Sequence, residues 1–482
     1  LNQLRPIENL SLPEGTAVTA SVRVVCLVLV VAASDAGFAA GKETVDLSPL
    51  LQPHKIAKVS VELEAGGNTL VRREGEGNDR AGADQRLPMS VSAKLQYMER
   101  RLVENQSTAP KARPLAIRYY NLAEAVIKVG QSGAEPRLPE DRRLIVVENG
   151  AARPSMYCPA GLLTREQLDL VDAIGNSYVV DELLPEKPVA DGEAWPSGTA
   201  AMAALLTLDS VAVCEVQSVL EEFNASFAKV RLAGVVHGTA DGAATEQEIR
   251  GVYLFDRRLR RITRLNLAVR EKRSIGGATP GLDAVAKLQI KIEPVESISQ
   301  LSDAAIAAAL RTKQPAHELI CEAPAMGFRF QHDRNWFVTS KQRENIMLRR
   351  IDGSDLAAQC TLTMLPPKSA GRQTTLEQFQ KDIVYSLGKG FGELVSSRQW
   401  QNSHGHYCYE VVARGHVDEV PVEWHYYLVA RDGGHRISAT VTVEAPMVER
   451  MAGIDRQLIH SLELFPPLPA GPTANASGTT VK

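Results

Sequence analysis

The chain has 482 residues, 44% hydrophobic and 23% charged, the make-up of a soluble globular protein with ample material for a large core. Lys and Arg number 54 against 57 Asp and Glu, a formal net charge of −3, so the broad basic footprint of a nucleic-acid binder is missing. The 6 cysteines contain no C-x-x-C pair, which excludes a disulfide scaffold and the common zinc and redox motifs.

Arg23 precedes an unbroken apolar run, Val24 to Ala33, and the small residues Ala36, Gly37, Ala39 and Ala40 follow it. Positive charge, short apolar core and small-residue cleavage zone, in that order, read as a signal peptide over residues 1–40. The run is far shorter than the roughly 20 residues a spanning helix needs. Cleavage is expected after Ala39 or Ala40, with the product periplasmic or secreted. Glu8 and Glu14 lie where a positive region belongs, which fits translation starting near Val18 or Val22. Downstream, no stretch approaches transmembrane length, so no transmembrane anchor is expected in the mature chain. Of the five remaining cysteines, Cys158 and Cys214 leave room for one bridge without requiring it.

Residues 45–296 read as long antiparallel strands. Met89, Val91, Ala93, Leu95 and Tyr97 alternate with Ser90, Ser92, Lys94 and Gln96, the period of a strand with one dry face. The pattern returns at Ala228–Val236, Ile249–Phe255, Thr263–Val269 and Ala284–Ile292. Gly75 to Arg86 is turn-rich and reads as a loop. Two short helices interrupt the strands. Thr164 caps the first, Leu163, Leu170, Val171 and Ile174 mark its apolar face, and Gly175 ends it; the second runs from about Thr199 to Leu208. Such a sheet cannot leave its dry face bare. It curls into a sandwich or half-barrel, packs against a second domain, or holds an apolar ligand.

Residues 297–318 form a connector around an Ala-rich helix, Ser302 to Thr312, and few contacts are expected to cross it. Residues 319–465 read as strand, strand, strand, helix, four strands and a last helix. Thr374 and Glu377 form a capping-box pair before the buried stripe Leu376, Phe379, Ile383 and Leu387. A two-residue turn at Asp418-Glu419 sets Ala413 opposite Trp424 and Tyr409 opposite Leu428. A second at Asp432-Gly433 sets Leu428 opposite Ile437 and Tyr426 opposite Ala439. One face then collects Tyr407, Tyr409, Val411, Trp424, Tyr426, Leu428, Ile437, Ala439 and Val441. By the same register Cys360 and Cys408 leave opposite sides of the sheet. Residues 466–482 are too poor in large apolar side chains to fold.

This order of elements, with Gly327-Phe328-Arg329-Phe330 and Asn335-Trp336, resembles the PsbP-like α/β/α sandwich, a family of extrinsic photosystem proteins and exported bacterial proteins. The resemblance covers residues 319–465 and implies a non-catalytic accessory fold, with no site residues to carry over. The first domain is loosely similar in architecture to the LolA-type lipoprotein-carrier fold, a curved antiparallel sheet wrapped on helices. The expected fold class is α+β: a large antiparallel β domain (sandwich or half-barrel with two short helices), then an antiparallel-sheet α/β/α sandwich.

Two constellations carry chemistry. His404, His406, Cys408 and Glu410 alternate on one predicted strand and His425 lies diagonally to Glu410, a donor set suited to zinc or copper. Against that, the spacing matches no established ligand pattern and polar residues are general on the less buried face of the sheet. Arg257, Arg258, Arg260 and Arg261 sit at a predicted hairpin tip and suit an anionic surface; a solvated turn guarded against edge pairing is the plainer reading. The residues contain none of the usual catalytic motifs. The expectation is an exported, non-catalytic envelope protein, without a cofactor, that binds a protein partner or scaffolds an assembly. The alternative is a periplasmic carrier of an apolar or lipid-like ligand in the first domain, with an enzyme of unknown class third.

Overall fold

The computed structural model describes residues 43–50, 55–72, 84–102, 114–150, 152–311, 317–369 and 374–467. The expected leader, most of the Gly75–Arg86 loop and the tail beyond 467 lie outside them. Among the described residues no helix is long and apolar enough to cross a membrane.

The first unit is built from long alternating strands. β1 Ile56–Val71, β2 Gln85–Arg101 and β3 Pro114–Val129 come first, and β4 Leu144–Glu148 and β5 Ser155–Tyr157 extend one edge. β6 Ala194–Pro196, β7 Ser210–Phe223, β8 Phe227–Ala240, β9 Ala243–Asp256, β10 Arg261–Arg273 and β11 Gly281–Val295 make the rest. Their order is β5-β4-β3-β2-β1-β11-β10-β9-β8-β7-β6, so the chain's first and last long strands are neighbours, with Leu288 opposite Leu63. Two helices, α1 Arg165–Val171 and α2 Thr199–Leu205, and the turn Val180–Leu183 supply the filling. Thr164 caps α1 and exchanges bonds with Gln167. A single apolar cluster takes Val59, Leu95, Tyr120, Val230, Tyr253 and Leu265 from the sheet and Leu168, Leu183 and Met202 from the filling. One cluster fed by every long strand means that the sheet curls around the helices as an open half-barrel. Burying each large side chain stabilises by about 1.5–3 kcal/mol.

A polar knot lies inside this core. Arg118 is 1% exposed; its Nε donates to Glu99 at 2.8 Å, and its Nη2 donates to Asn176 and Ser177. Ser177 donates to Glu99 and accepts from Tyr97. Every long polar arm is matched, as burial of charge requires. Helix α3 Asp303–Arg311, whose cap Ser302 accepts from Ala305 N, lays Ile306 on Ile117 and Val146 of the convex face, so the connector is packed down.

The second unit comprises β12 Glu318–Ala323, β13 Phe328–Asp333, β14 Trp336–Lys341, β15 Asn345–Asp352, β16 Asp355–Leu365, α4 Leu376–Leu387, β17 Phe391–Gln401, β18 Tyr407–Val417, β19 Val420–Ala430, β20 Arg436–Glu444, α5 Val448–Met451, α6 Ile454–His460 and β21 Glu463–Leu464. A seven-stranded antiparallel sheet, β14-β15-β16-β20-β19-β18-β17, lies between α4 and a layer of α5, α6 and β12-β13-β21. The α+β class read from the sequence is the observed one.

The β18–β19 register is as expected, Ala413 opposite Trp424 and Tyr409 opposite Leu428, with positive φ at both Asp418 and Glu419. The next turn differs. Arg431 N bonds His435 O across a three-residue loop, and Gly434 takes the left-handed conformation (φ 86°) that such a loop demands. Ile437 therefore faces Val429, not Leu428, and Ala439 faces Tyr427. That slip splits the expected single face. Val411, Trp424, Tyr426 and Leu428 pack on Phe379 and Ile383 of α4, whereas Ile437, Ala439 and Val441 join Tyr427, Val429 and Leu458 on the other side. Cys360 and Cys408 both line this second core, correcting their expected separation. All five described cysteines are free, Cys158 and Cys214 included. The cap of α4 is Thr375, one residue later than expected; Thr374 instead accepts from Lys368 and Arg436.

The two units meet through more contacts than expected. Ile320 N donates to Leu163 O at 3.0 Å, Arg349 Nη1 to Gly277 O at 2.9 Å, and Arg334 to Met156 O. Arg165 of α1 reaches the Arg334 and Trp336 carbonyls and lies 4.5 Å from the Phe337 ring centre. Gly242, in the β8–β9 turn, sits so close to Ile351 that a Cβ would come within 2.5 Å of its Cγ2. Arg118→Ala should cost the first unit about 3–5 kcal/mol, because Glu99 is left buried without its partner. Urea unfolding checks this; Arg118→Met with Glu99→Leu should recover most of the loss.

Candidate functional site

The concave face changes composition along the strands. Toward the core β1 and β11 present Val59, Val61, Leu63, Leu288, Ile290 and Ile292; toward the other end they present Ala65 opposite Ala286, and Gly67 opposite Ala284. Small side chains fail to reach the helices. A cavity of about 590 Å³ opens there, bordered on its outer side by the β13–β14 and β15–β16 hairpin tips of the second unit. This is the size range of small-molecule sites.

One wall is apolar: Leu63, Met89, Val91, Val269 and Leu282 with the alanines. The opposite side carries Arg153, Arg165, Asp169, Asp172, Asp209, Asp241 and, from the second unit, Arg334. Most of these charges are matched. Arg153 meets Asp172 at 2.6 Å, and Arg273 meets Glu271 at 2.7 Å and Asp241 at 3.6 Å. Burial pulls the Arg334 pKa down to about 10, with Asp172 opposing the fall and Arg165 and Arg153 adding to it.

Asp169 is different. Its side chain is 63% exposed and its nearest cation, Arg165, is 3.9 Å away. Yet desolvation, only partly countered by Arg165 and reinforced by Asp241, Asp172 and Glu166, raises its pKa to about 7. Asp209 is pushed up as well, by burial and by Asp241. Gln247 of β9, 1% exposed, stands in the same lining with Oε1 unpartnered.

The residues singled out from sequence lie elsewhere. The backbone N–H groups of His404 and His406 both donate to Asn402 Oδ1, and His406 Nε2 accepts from Leu464 N. Cys408 is fully buried in the second core, where burial raises its thiol to about 12. Glu410 is 1% exposed and held by Arg398 at 2.7 Å and Arg456 at 3.0 Å. His425 sits between Asp455 and Glu423, at 2.5 and 2.8 Å. Among the described residues no three His, Cys, Asp or Glu side chains come close enough to hold a metal ion. The arginine cluster is not a common surface either. Arg261 points inward to Asp181 at 3.7 Å, Arg260 binds Ser48 O and Asp46, Arg257 binds Asn224 O, and Arg258 faces solvent.

Sequence reading missed Asp169, Gln247 and Arg334, which come from three distant segments. The one signal available was the switch from Leu288 and Ile290 to Ala284 and Ala286 on a single strand face.

Two titrations follow. Carboxyl-detected NMR should find one aspartate with a midpoint near 7, missing in Asp169→Asn. In the second unit, burial lowers the His425 pKa, but Asp455 and Glu423 outweigh it and leave it above the ordinary 6.5. Burial raises Asp455, and His425 and Tyr427 outweigh that, leaving it below 3.8. The His425 contribution is present below 6.5 and lost as pH rises through its raised folded value; the Asp455 contribution is present above 3.8 and lost as pH falls through its depressed one. The Tm difference between the protein and His425→Gln should therefore be largest between pH 3.8 and 6.5 and shrink in alkali. A pH-independent difference contradicts the pairing.

No family model matches this chain, and no curated protein does. Among solved structures, cyanobacterial PsbP (CyanoP) from Synechocystis is 12% identical over 32% of this chain and 95% of its own, with a TM-score of 0.25. A Pseudomonas aeruginosa protein of unknown function is 11% identical over 31% of this chain and 99% of its own, TM-score 0.22. A Bacteroides thetaiotaomicron protein is 11% identical over 30% of this chain, TM-score 0.24, and the match spans 47% of that protein's length. The likeness is a distant one of fold.

Proposed function

We propose that this is an exported, non-catalytic binding protein that takes a small amphipathic molecule into the cavity between its two units. The cavity itself carries the reading: an apolar strand wall faces a polar side in which the Gln247 oxygen and the Nε groups of Arg165 and Arg334 are buried without a partner. Apart from Thr207, the polar lining consists of carboxylates, guanidiniums and amides, the groups that orient a ligand. Export rests on Arg23, the apolar run after it and the small residues that follow. A ligand in the hollow would satisfy the buried polar atoms beside it, each of which costs about 1–3 kcal/mol while it has no partner.

Ala286 lies in the wall opposite α1, so Ala286→Trp fills the space without touching the second unit's core. The full chain should take up an apolar fluorescent dye saturably, and Ala286→Trp should weaken uptake by about tenfold or more while leaving the circular dichroism spectrum unchanged. Equal uptake by the variant, or none by the parent, overturns the reading.

A further inference from the structure

The two large sheets end differently. The first unit's sheet finishes in β5 and β6, three residues each, too short to template another strand. The second unit's sheet finishes in β14, six residues with an irregularity at Thr339, and in β17, eleven residues from Phe391 to Gln401. Among the described residues nothing pairs with the outer edge of β17. The strand carries no proline or lysine, and its one arginine, Arg398, folds back onto Glu410 of β18 at 2.7 Å. Leu394 and Val395 stand 38% and 41% exposed on it. Extra residues at Gly392 and Val395 bend its first half, yet residues 396–401 pair with β18 without interruption.

The bulge at Val395 sets the charge pattern. Five positions separate Glu393 from Arg398, which on a regular strand would put them on opposite faces. With one extra residue between them they share a face: Glu393 meets Arg414 at 3.8 Å, Arg398 meets Glu410, and those two partners lie four apart on β18. A strand with an acid toward one end and a base toward the other, on one face, complements its own antiparallel copy. A two-fold axis at Ser396 sets Glu393 of each copy opposite Arg398 of the other, so the charge contact is made twice. Both side chains are exposed enough to reach across.

We propose that β17 is the interface of a symmetric dimer of this chain, in which edge-to-edge antiparallel pairing joins two seven-stranded sheets into one. The surface is separate from the cavity, and the proposal does not depend on what the cavity holds.

Sedimentation velocity on the full chain over a concentration series tests this. The parent should dimerise. Glu393→Arg and Arg398→Glu each set like charge against like at both contacts and should weaken the dimer at least ~10-fold. Mixed in equal amounts, the two variants should dimerise again, because one supplies both bases and the other both acids. A variant that had merely lost its fold would not be rescued in this way. Where Arg398→Glu fails to fold because Glu410 keeps only Arg456, Leu394→Lys takes its place; it adds a positive charge on each side of the axis and should weaken the dimer as strongly. A parent that stays monomeric up to about 100 µM overturns the proposal. So does a dimer that the charge variants keep, or a mixture of two folded charge variants that remains monomeric.

Discussion

The constraint behind most of this structure is the dry inner face of the first unit's long antiparallel sheet. Long alternating strands commit one side chain in two to that face, and at about 1.5–3 kcal/mol for each large one the face cannot stay wet. The chain answers with little helix: α1, α2 and a short turn, inserted between β5 and β7, around which the sheet bends until a single cluster reaches from Val147 to Val216. Everything about the candidate site follows from where that filling ends. α1 is short and capped at Thr164, so its polar side, Arg165 and Asp169, comes out at the open end of the half-barrel. The strands thin to alanine and glycine at that same end.

An open end of this kind exposes apolar wall to water, and the second unit covers part of it. The closure is specific. Gly242 fits under Ile351 only because it lacks a Cβ, and Arg165 crosses the seam to bind backbone carbonyls instead of a carboxylate. A guanidinium shared with carbonyls leaves Asp169, one turn along α1, with its counter-charge 3.9 Å away. The seam therefore shapes the electrostatics of the cavity as well as its volume.

Much of the fold was legible because it depends on period and on turn chemistry. Met89 to Tyr97 read directly as a strand, and Thr164 as the cap of α1, since each signal is local. Asp418-Glu419 gave the right register for the same reason. Asp432-Gly433 did not. Two adjacent glycines allow either a two-residue turn or a three-residue loop ending in a left-handed Gly434, and the choice inverts every side chain of β20. Because both faces of this sheet are covered, by α4 on one side and α6 on the other, hydrophobicity could not arbitrate between them. The error carried over to the metal set, which assumed that Cys408 and Glu410 lay on a polar face when that face is a core. The cavity was less legible still, since no local pattern links residues 153, 169, 247 and 334.

The cavity differs from the polar knots of the interior in what its unpartnered atoms border. Glu99 and Arg118 saturate each other with Ser177 and Asn176; Glu410 holds two arginines; His425 uses both ring nitrogens. These knots are closed but for one Asp455 oxygen, and a nearly closed knot specifies packing without inviting a ligand. At the seam the Gln247 oxygen and the Nε groups of Arg165 and Arg334 are buried without a partner. A protein that leaves an amide oxygen and two guanidinium N–H groups unmatched beside an alanine wall has placed those unmet hydrogen bonds where a small molecule can reach them.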